Sequence, residues 1–475
     1  MKDESPNEKK MRRTRQLIWL YFWLLIFEGA LRKWVVPQLS NPLLIVRDPV
    51  VLLIYFYAIR AHIFPRNIWI YSLGALALLS SALSFLVLWP YLPPMSITLV
   101  TAFGFRSNFL HLPLIFVIAQ ALRREDVKRF GWWTLLIMVP MALLLVGQFR
   151  AAPDAFLNRN AGGEGEMMTS ALGKVRTAGT FSFVVGVAGY CAMATSFFVY
   201  AALRRDVYKN WLLFAAGSAL VIGIAVSGSR SVVGGCAVVV ASLLVILLLQ
   251  PSAVNRFGQT LIVTLIAGLI LVKTPIFKEG FNVLSTRFNE VAEATEKSIG
   301  AGLVERVFGD FQEGLYVLTK APFLGYGLGI GTNAGAKFIT GRSMFLLSEG
   351  EWSRIFLESG PVLGLGYVLW RLALMVYVAL LCLRSVRVGH VLPILLFASC
   401  FLALTNGQFG QPTVLGFAVF ITGLTLAARK AEEIVETPEP ALSSTPRPSR
   451  TRRSPYAERL HGPAPSDHTN GSVDR

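Results

Sequence analysis

Long blocks of apolar residues, separated by clusters of basic residues, constrain this chain more than any other feature. About twelve blocks are long enough to cross a bilayer as helices, since a helix needs about 20 mostly apolar residues to span the hydrocarbon core. Only 15% of the residues are charged, against about 25% in soluble domains. We therefore expect an all-α polytopic membrane protein with about 12 transmembrane helices and a large extracytoplasmic loop that contains amphipathic helices. The blocks cover residues 17–31, 43–59, 68–89, 95–122, 131–149, 180–203, 211–226, 231–250, 259–275, 353–383, 391–406 and 412–428.

Basic residues set the predicted orientation. A cluster from Lys9 to Arg15 precedes the first block, and no small-residue cleavage site follows it, which predicts a retained helix with a cytoplasmic N-terminus. From this start, the basic clusters that follow the even-numbered blocks all fall on the cytoplasmic side, as the positive-inside rule requires. We therefore expect a cytoplasmic N-terminal arm (residues 1–16), a membrane domain (17–428) and two long extracytoplasmic loops (150–179 and 276–352).

The net charge of +17 lies largely in the inner loops and the N-terminal arm, so it predicts orientation and attraction to anionic lipid rather than binding of nucleic acid. All four cysteines lie inside apolar blocks without a CxxC pair, which predicts neither disulfides nor a zinc site. Residues 429–475 are rich in Pro, Ser and Arg and carry mixed charges. They predict a disordered cytoplasmic tail.

The second long loop carries two stretches of helical periodicity and a glycine run. Because its apolar residues recur every three or four positions, we expect two amphipathic helices there. The run from Gly325 to Gly331 resembles a phosphate-binding loop only superficially, since no strand precedes it. The favoured interpretation is a close-approach loop, whose glycines let other groups reach a ligand. The periodic residues are Phe281, Leu284, Phe288 and Val291, then Val304, Val307, Phe311, Leu315 and Leu318.

Four arginines at the predicted outer boundary run against the positive-inside bias: Arg106, Arg176, Arg230 and Arg354. An arginine at membrane depth is costly unless it faces a cavity or a partner. Each could instead extend to lipid headgroups or pair with a nearby carboxylate. Because all four lie on one face, they favour an anion site, and guanidinium groups suit phosphate oxygens.

Acidic residues on the same face could supply a base. Glu349 and Glu351 come just before the tenth block, where a carboxylate could take the proton of an attacking sugar hydroxyl. The alternative is a solvated loop acid or a charge favoured by a helix N-terminus. Glu358 and Gly360 are interpreted as helix-packing residues. A structural ion cluster is expected from Glu28, Arg32, Arg47 and Asp48.

Four segments together resemble the O-antigen ligase and polymerase family, which includes Wzy-type O-antigen and exopolysaccharide polymerases. They are Glu28–Trp34, Arg176–Phe183, Ser227–Ser231 and Gly325–Gly366. The likeness covers nearly the whole membrane region and excludes the tail.

The resemblance implies a glycosyltransferase of the bacterial inner membrane with its active site facing the periplasm. In this family, arginines engage the pyrophosphate of an undecaprenyl-linked oligosaccharide donor, which by resemblance assigns Arg176 and Arg230 to that role. The ligase branch has a histidine where this chain has Glu349, which favours a polymerase. The implied partners are the lipid-linked donor, a glycan acceptor, the bilayer and a chain-length regulator.

The implied reaction is an inverting displacement at the anomeric carbon, with arginines in the place of a metal. The outer loops contain no DxD pair, and we expect neither a metal nor a cofactor. An O-antigen ligase would differ only in its acceptor. A flippase or secondary transporter would also have about twelve spans, but it predicts charged residues well inside several helices.

Overall fold

The computed structural model describes residues 6–161, 171–204, 206–250, 275–295, 309, 311–342 and 344–430. Within these ranges the regular structure is helical, without a β-strand. The helices that position the site are α1 (Pro6–Ala30), α2 (Arg47–Arg60), α3 (Ile68–Leu88), α4 (Pro94–Phe105), α5 (Leu114–Ala121), α6 (Arg124–Arg150), α7 (Val184–Leu203), α8 (Asn210–Val226), α9 (Arg230–Leu249), α10 (Pro275–Thr295), α11 (Asn333–Thr340), α12 (Glu351–Arg387), α13 (Leu392–Asn406) and α14 (Pro412–Ala427). A short helical turn (Ser40–Leu43) precedes α2, and residues 311–318 are also helical.

The apolar helices confirm an α-helical polytopic membrane protein. Among the described residues, five helices are long and apolar enough to cross a membrane: α3, α6, α7, α9 and α12. The number is seven if each of two bent helix pairs is counted as one span. The helices α8, α13 and α14 are apolar but shorter. The block at 259–275 and the tail at 431–475 lie outside the described residues. The count of about twelve spans, the sidedness and the disordered tail therefore stay predictions.

Hydropathy places most helix boundaries to within a few residues, but three regions differ. α6 begins at Arg124 rather than at residue 131. α1 begins at Pro6, so the expected N-terminal arm is helical from that residue onward, because its Lys and Arg residues are good helix formers. The expected single span at 95–122 is broken into α4, a π-helical turn and α5, with a bend of 40°. Pro113 lies at the break, where its ring removes a backbone donor and restricts the preceding residue.

The first expected amphipathic helix of the second loop is present as α10. It buries Val283 and Leu284 and leaves Phe281 exposed. It packs against α8, where a Cβ on Gly280 would meet the carbonyl oxygen of Ala225 at 2.7 Å. Of the second expected helix, residues 311–318 are helical and residues 301–308 lie outside the described ranges.

α12 is interrupted at Gly360, whose φ of +71° and ψ of +172° are not helical. The next residue is Pro361, which cannot donate to the carbonyl oxygen of Leu357. The glycine run supplies the missing donors, since the N–H of Tyr326 donates to Leu357 O (2.7 Å) and the N–H of Gly327 donates to Glu358 O (3.0 Å). The break in α12 is therefore stabilised by backbone donors of the glycine run.

The glycine run lets backbone meet backbone. Gly329 has a φ of +97°, and a Cβ there would lie 2.1 Å from the carbonyl oxygen of Val100 in α4. A Cβ on Gly325 would lie 2.4 Å from the carbonyl oxygen of Glu358. The glycines thus allow close contact with the backbones of α4 and α12. Their expected use in letting groups reach a ligand stays a prediction.

Gly329→Ala should cause a large loss of folded protein, because the new methyl group meets a backbone oxygen that cannot move aside. Gly341→Ala is the matched control, since Gly341 also has a positive φ (+76°) but open space around its Cβ position. The control should lose only the conformational preference of glycine, about 1–2 kcal/mol. Thermal melting of detergent-purified protein by size-exclusion chromatography measures both. Equal melting temperatures for the two variants would show that the contact with Val100 does not matter.

Candidate functional site

Two predicted anion-binding arginines lie in neighbouring segments. The hydroxyl of buried Thr177 donates to the carbonyl oxygen of Val226 at the end of α8 (3.2 Å). Arg176 precedes Thr177 directly, and Arg230 follows Val226 after a three-residue link. The structure therefore brings the Arg176 segment to the α8–α9 link that carries Arg230.

The C-terminal end of α1 and the residues just after it contact the same segment. The hydroxyl of Thr180 donates to Ile26 O (2.7 Å), and Nη1 of Arg32 donates to Oγ of Ser182 (3.0 Å). A Cβ on Gly29 would lie 2.5 Å from the backbone of Thr180 and Ser182, so α1 and this segment touch backbone to backbone. Two of the four segments that carry the family resemblance, Glu28–Trp34 and Arg176–Phe183, thus pack against each other.

Arg230 lies in the wall of a cavity of about 430 Å³ between α7, α9, α13 and α14. Small and apolar residues make up most of the wall, among them Gly189, Ala192, Gly234 and Val238. Arg230 is the first residue of α9, so the N–H groups of that helix terminus add to the positive potential around it. A wall of this kind suits an amphiphile with a flexible apolar chain and an anionic headgroup.

A second, smaller pocket adjoins this cavity. Glu349, Glu351 and Arg354 line it, and Gln408 and Gln411 line both the pocket and the cavity. Nε2 of Gln408 donates to the carbonyl oxygen of Glu349 (2.7 Å), which ties the two regions together. The structure therefore places Glu349 and Glu351 next to the cavity of Arg230.

The two candidate bases have different surroundings. Glu351 is buried in the first turn of α12, where Oε1 accepts from Arg371 (2.7 Å) and Oε2 accepts from Arg354 (3.0 Å). Both carboxylate oxygens of Glu351 are thus held by arginines. Glu349 is exposed in the preceding loop. The geometry favours Glu349 as the base and a structural role for Glu351 at the helix N-terminus.

Arg354 takes part in the same buried network. It donates to Glu358 (2.7 Å) and to Oδ1 of Asn108 (2.9 Å) as well as to Glu351. Arg371 lies beyond the break in α12. It donates to Glu351 and to Leu404 O at the end of α13 (2.9 Å). Two arginines and two glutamates balance in charge. For Arg354 the alternative to anion binding was pairing with a nearby carboxylate, and the structure shows that pairing. A role for Arg354 as a pyrophosphate ligand is therefore not favoured.

Arg106 is likewise an internal residue. Its guanidinium is paired with Asp48 and donates to Leu44 O (2.9 Å), and His111 contacts the other oxygen of Asp48 (2.9 Å). Arg106 lines neither the cavity nor the smaller pocket. Its predicted contact with a pyrophosphate is therefore not favoured by the structure.

The expected ion cluster near the ends of α1 and α2 is present, with one change. Glu28 pairs with Arg47 (2.9 Å) and lies 3.5 Å from Arg32. Asp48 instead joins Arg106 and His111. Asp48 directly follows Arg47, yet it pairs with Arg106 from a distant part of the chain, and no local pattern in the sequence indicates that partner.

Residues of the α13–α14 link were missed by the sequence reasoning. Gln408 and Gln411 lie in the polar stretch Asn406–Gln411 between two apolar blocks, and that stretch was the available signal. Arg371 was missed as well, although an arginine inside an apolar block is a functional or structural signal by default.

No family model matches this chain, and none of the curated proteins matches it with significant similarity.

Glu351→Gln should destabilise the protein, because it leaves two buried arginines short of one negative charge. Breaking a buried ion pair from one side costs about 3–5 kcal/mol. Glu313→Gln is the control, since Glu313 is an exposed carboxylate in the same outer loop. Thermal melting and membrane yield should fall for Glu351→Gln alone. Unchanged melting of Glu351→Gln would contradict a structural role for the network.

Proposed function

We propose that this protein polymerises undecaprenyl-pyrophosphate-linked oligosaccharide units into a surface polysaccharide, an O-antigen or an exopolysaccharide, on the periplasmic face of a bacterial inner membrane. One observation supports this above the others: Arg230 lines an apolar cavity that adjoins the loop of Glu349, and the segment of Arg176 is bonded to the α8–α9 link that carries Arg230. A cationic cluster beside an apolar cavity fits the donor's pyrophosphate and its isoprenoid chain.

The arginines would act on the leaving group. Arg176 and Arg230 hold the donor pyrophosphate, and the N-terminus of α9 adds its positive end. As the anomeric carbon–oxygen bond breaks, negative charge develops on the pyrophosphate, which departs with the bonding electron pair. Fixed positive groups stabilise that charge more in the transition state than in the ground state. Donor affinity and turnover therefore both depend on these two residues.

Glu349 would act on the acceptor. The hydroxyl oxygen of a second glycan attacks the anomeric carbon from the face opposite the pyrophosphate, and its proton passes to the carboxylate of Glu349. The new glycosidic bond forms as the old bond breaks, with inversion at the anomeric carbon. Glu349 is the favoured base because its side chain is exposed at the pocket that adjoins the cavity of Arg230.

The distribution of charge supports an enzyme over a flippase. A flippase predicts charged side chains along a path through the membrane. Of the charged side chains in the described residues, Arg230 alone lines the large cavity. The buried charges of α12, which are Glu351, Arg354, Glu358 and Arg371, pair with one another. The ligase alternative shares the site and differs in the acceptor, and Glu349 in place of the ligase histidine favours the polymerase.

Arg176→Ala and Arg230→Ala should each abolish polymer formation while protein remains in the membrane. Lysine at either position should restore activity poorly, because an ammonium cannot make the two parallel bonds of a guanidinium. Arg342→Ala, an exposed arginine of the outer loop, is the control and should stay active. The measurements are polymerisation of purified lipid-linked units in proteoliposomes and binding of undecaprenyl pyrophosphate. Full activity and binding in both alanine variants would refute the proposal.

Glu349→Gln should lower turnover by roughly 100-fold or more, the range for loss of a general base, without loss of donor binding. The exposed Glu279, which pairs with Lys174, provides the control Glu279→Gln. Single-turnover kinetics with purified lipid-linked units separate the chemical step from binding. Near-normal turnover of Glu349→Gln would mean that another group takes the proton.

A further inference from the structure

Gly179, three residues after Arg176, is held on both of its backbone polar groups. Its N–H donates to Oε1 of Gln148 (2.7 Å) in α6. Its carbonyl oxygen accepts from Nε2 of Gln148 (3.2 Å) and from Nζ of Lys33 (2.6 Å) beyond the end of α1. Gln148 and Lys33 are almost completely buried. Two polar side chains from separate helical elements thus converge on the backbone of Gly179.

Lys33 is an unusual residue for such a place. The ion pairs of the described residues do not include it, and its Nζ lies over the ring of Trp34 at 4.5 Å. A buried ammonium without a carboxylate is costly, so packing alone would favour an apolar residue. Burial lowers the pKa of Lys33 to about 7. Both the ammonium and the neutral amine can donate to Gly179.

The segment around Gly179 is tied at both ends. On one side Thr177 donates to Val226 O at the α8–α9 link, and on the other Thr180 donates to Ile26 O in α1. Gly179 has a φ of +56°, so the chain turns sharply between these two attachments. A shift of this peptide would be passed to Thr177 and to the neighbouring Arg176.

We infer that Lys33 and Gln148 are positioning residues that fix the peptide of Gly179 and thereby hold Arg176 beside the α8–α9 link of Arg230. The inference rests on the proposed function, because it assigns Arg176 and Arg230 to the donor pyrophosphate. Neither Lys33 nor Gln148 contacts the substrate in this role. They act through the backbone that carries Arg176.

The test compares Lys33→Met and Gln148→Leu with a variant that loses a similar bond elsewhere. Tyr190→Phe is the matched control, since its buried hydroxyl also joins two helices by donating to a backbone oxygen of α6, that of Thr134 (2.7 Å). Affinity for undecaprenyl pyrophosphate and thermal melting are measured on each purified protein in lipid nanodiscs. We expect roughly 10-fold weaker binding in the two test variants, as for a misplaced ligand-binding group, and unchanged binding in the control.

The double variant gives a second measure. Lys33 and Gln148 donate to the same oxygen, so the loss of affinity in the double variant should be smaller than the product of the two single losses. A merely structural role would lower the melting temperature without this coupling in affinity.

Thr180→Val is a milder variant for the case that Lys33→Met or Gln148→Leu does not fold. It keeps the shape of the side chain but removes the hydroxyl that bonds to Ile26 O and contacts Sδ of Met141, and it should also weaken binding of undecaprenyl pyrophosphate. Unchanged affinity in the folded test variants, or an equal loss in Tyr190→Phe, would overturn the inference. Arg176→Ala and Arg230→Ala are measured in parallel. If these bind normally the proposed function fails, and if they alone lose binding only the positioning role fails.

Discussion

A charge-balanced cluster buried in α12 joins α12 to the bend between α4 and α5, to the glycine run and to the end of α13. The cluster consists of two glutamates and two arginines whose charges neutralise one another: Glu351, Glu358, Arg354 and Arg371. Glu351 pairs with both arginines, and three of the residues also bond to other elements. Arg354 binds Asn108 in the bend between α4 and α5, Glu358 accepts from the N–H of Gly331, and Arg371 donates to carbonyl oxygens at the end of α13. Because charged groups at such depth must remain paired, these elements cannot separate without exposing an unpaired charge. The cluster therefore fixes the position of the Glu349 loop relative to the α13–α14 link.

The sequence predicts the helices well because the hydrophobic signal is local. α9, α13 and α14 begin and end within one residue of the expected blocks at 231–250, 391–406 and 412–428. The break in the block at 95–122 was missed because apolar residues continue on both sides of Pro113. Hydropathy reports how apolar a stretch is, and it does not report where the helix bends.

The roles of the arginines and glutamates at the predicted outer boundary could be predicted only in part, because the fold decides which charged side chains come into contact. Arg354 and Asn108 are 246 residues apart in the chain, and no local pattern links them. Arg106 and Arg354 resemble Arg230 in hydropathy context, yet the first two pair with carboxylates and Arg230 lines the cavity. Glu351 and Glu349 are two residues apart and differ completely in burial. The distinction comes from the first turn of α12, which directs one carboxylate inward.

The contact between the glycine run and α4 constrains the two sides unequally over evolution. Gly329 approaches the carbonyl oxygen of residue 100, and every amino acid has that oxygen. No replacement of Val100 can make room for a side chain at position 329, so a compensating pair of substitutions does not exist. Position 100 remains free to exchange among apolar residues, whereas position 329 can hold only glycine. Among related sequences the loop should thus be invariant at this point without any matching variation in its partner.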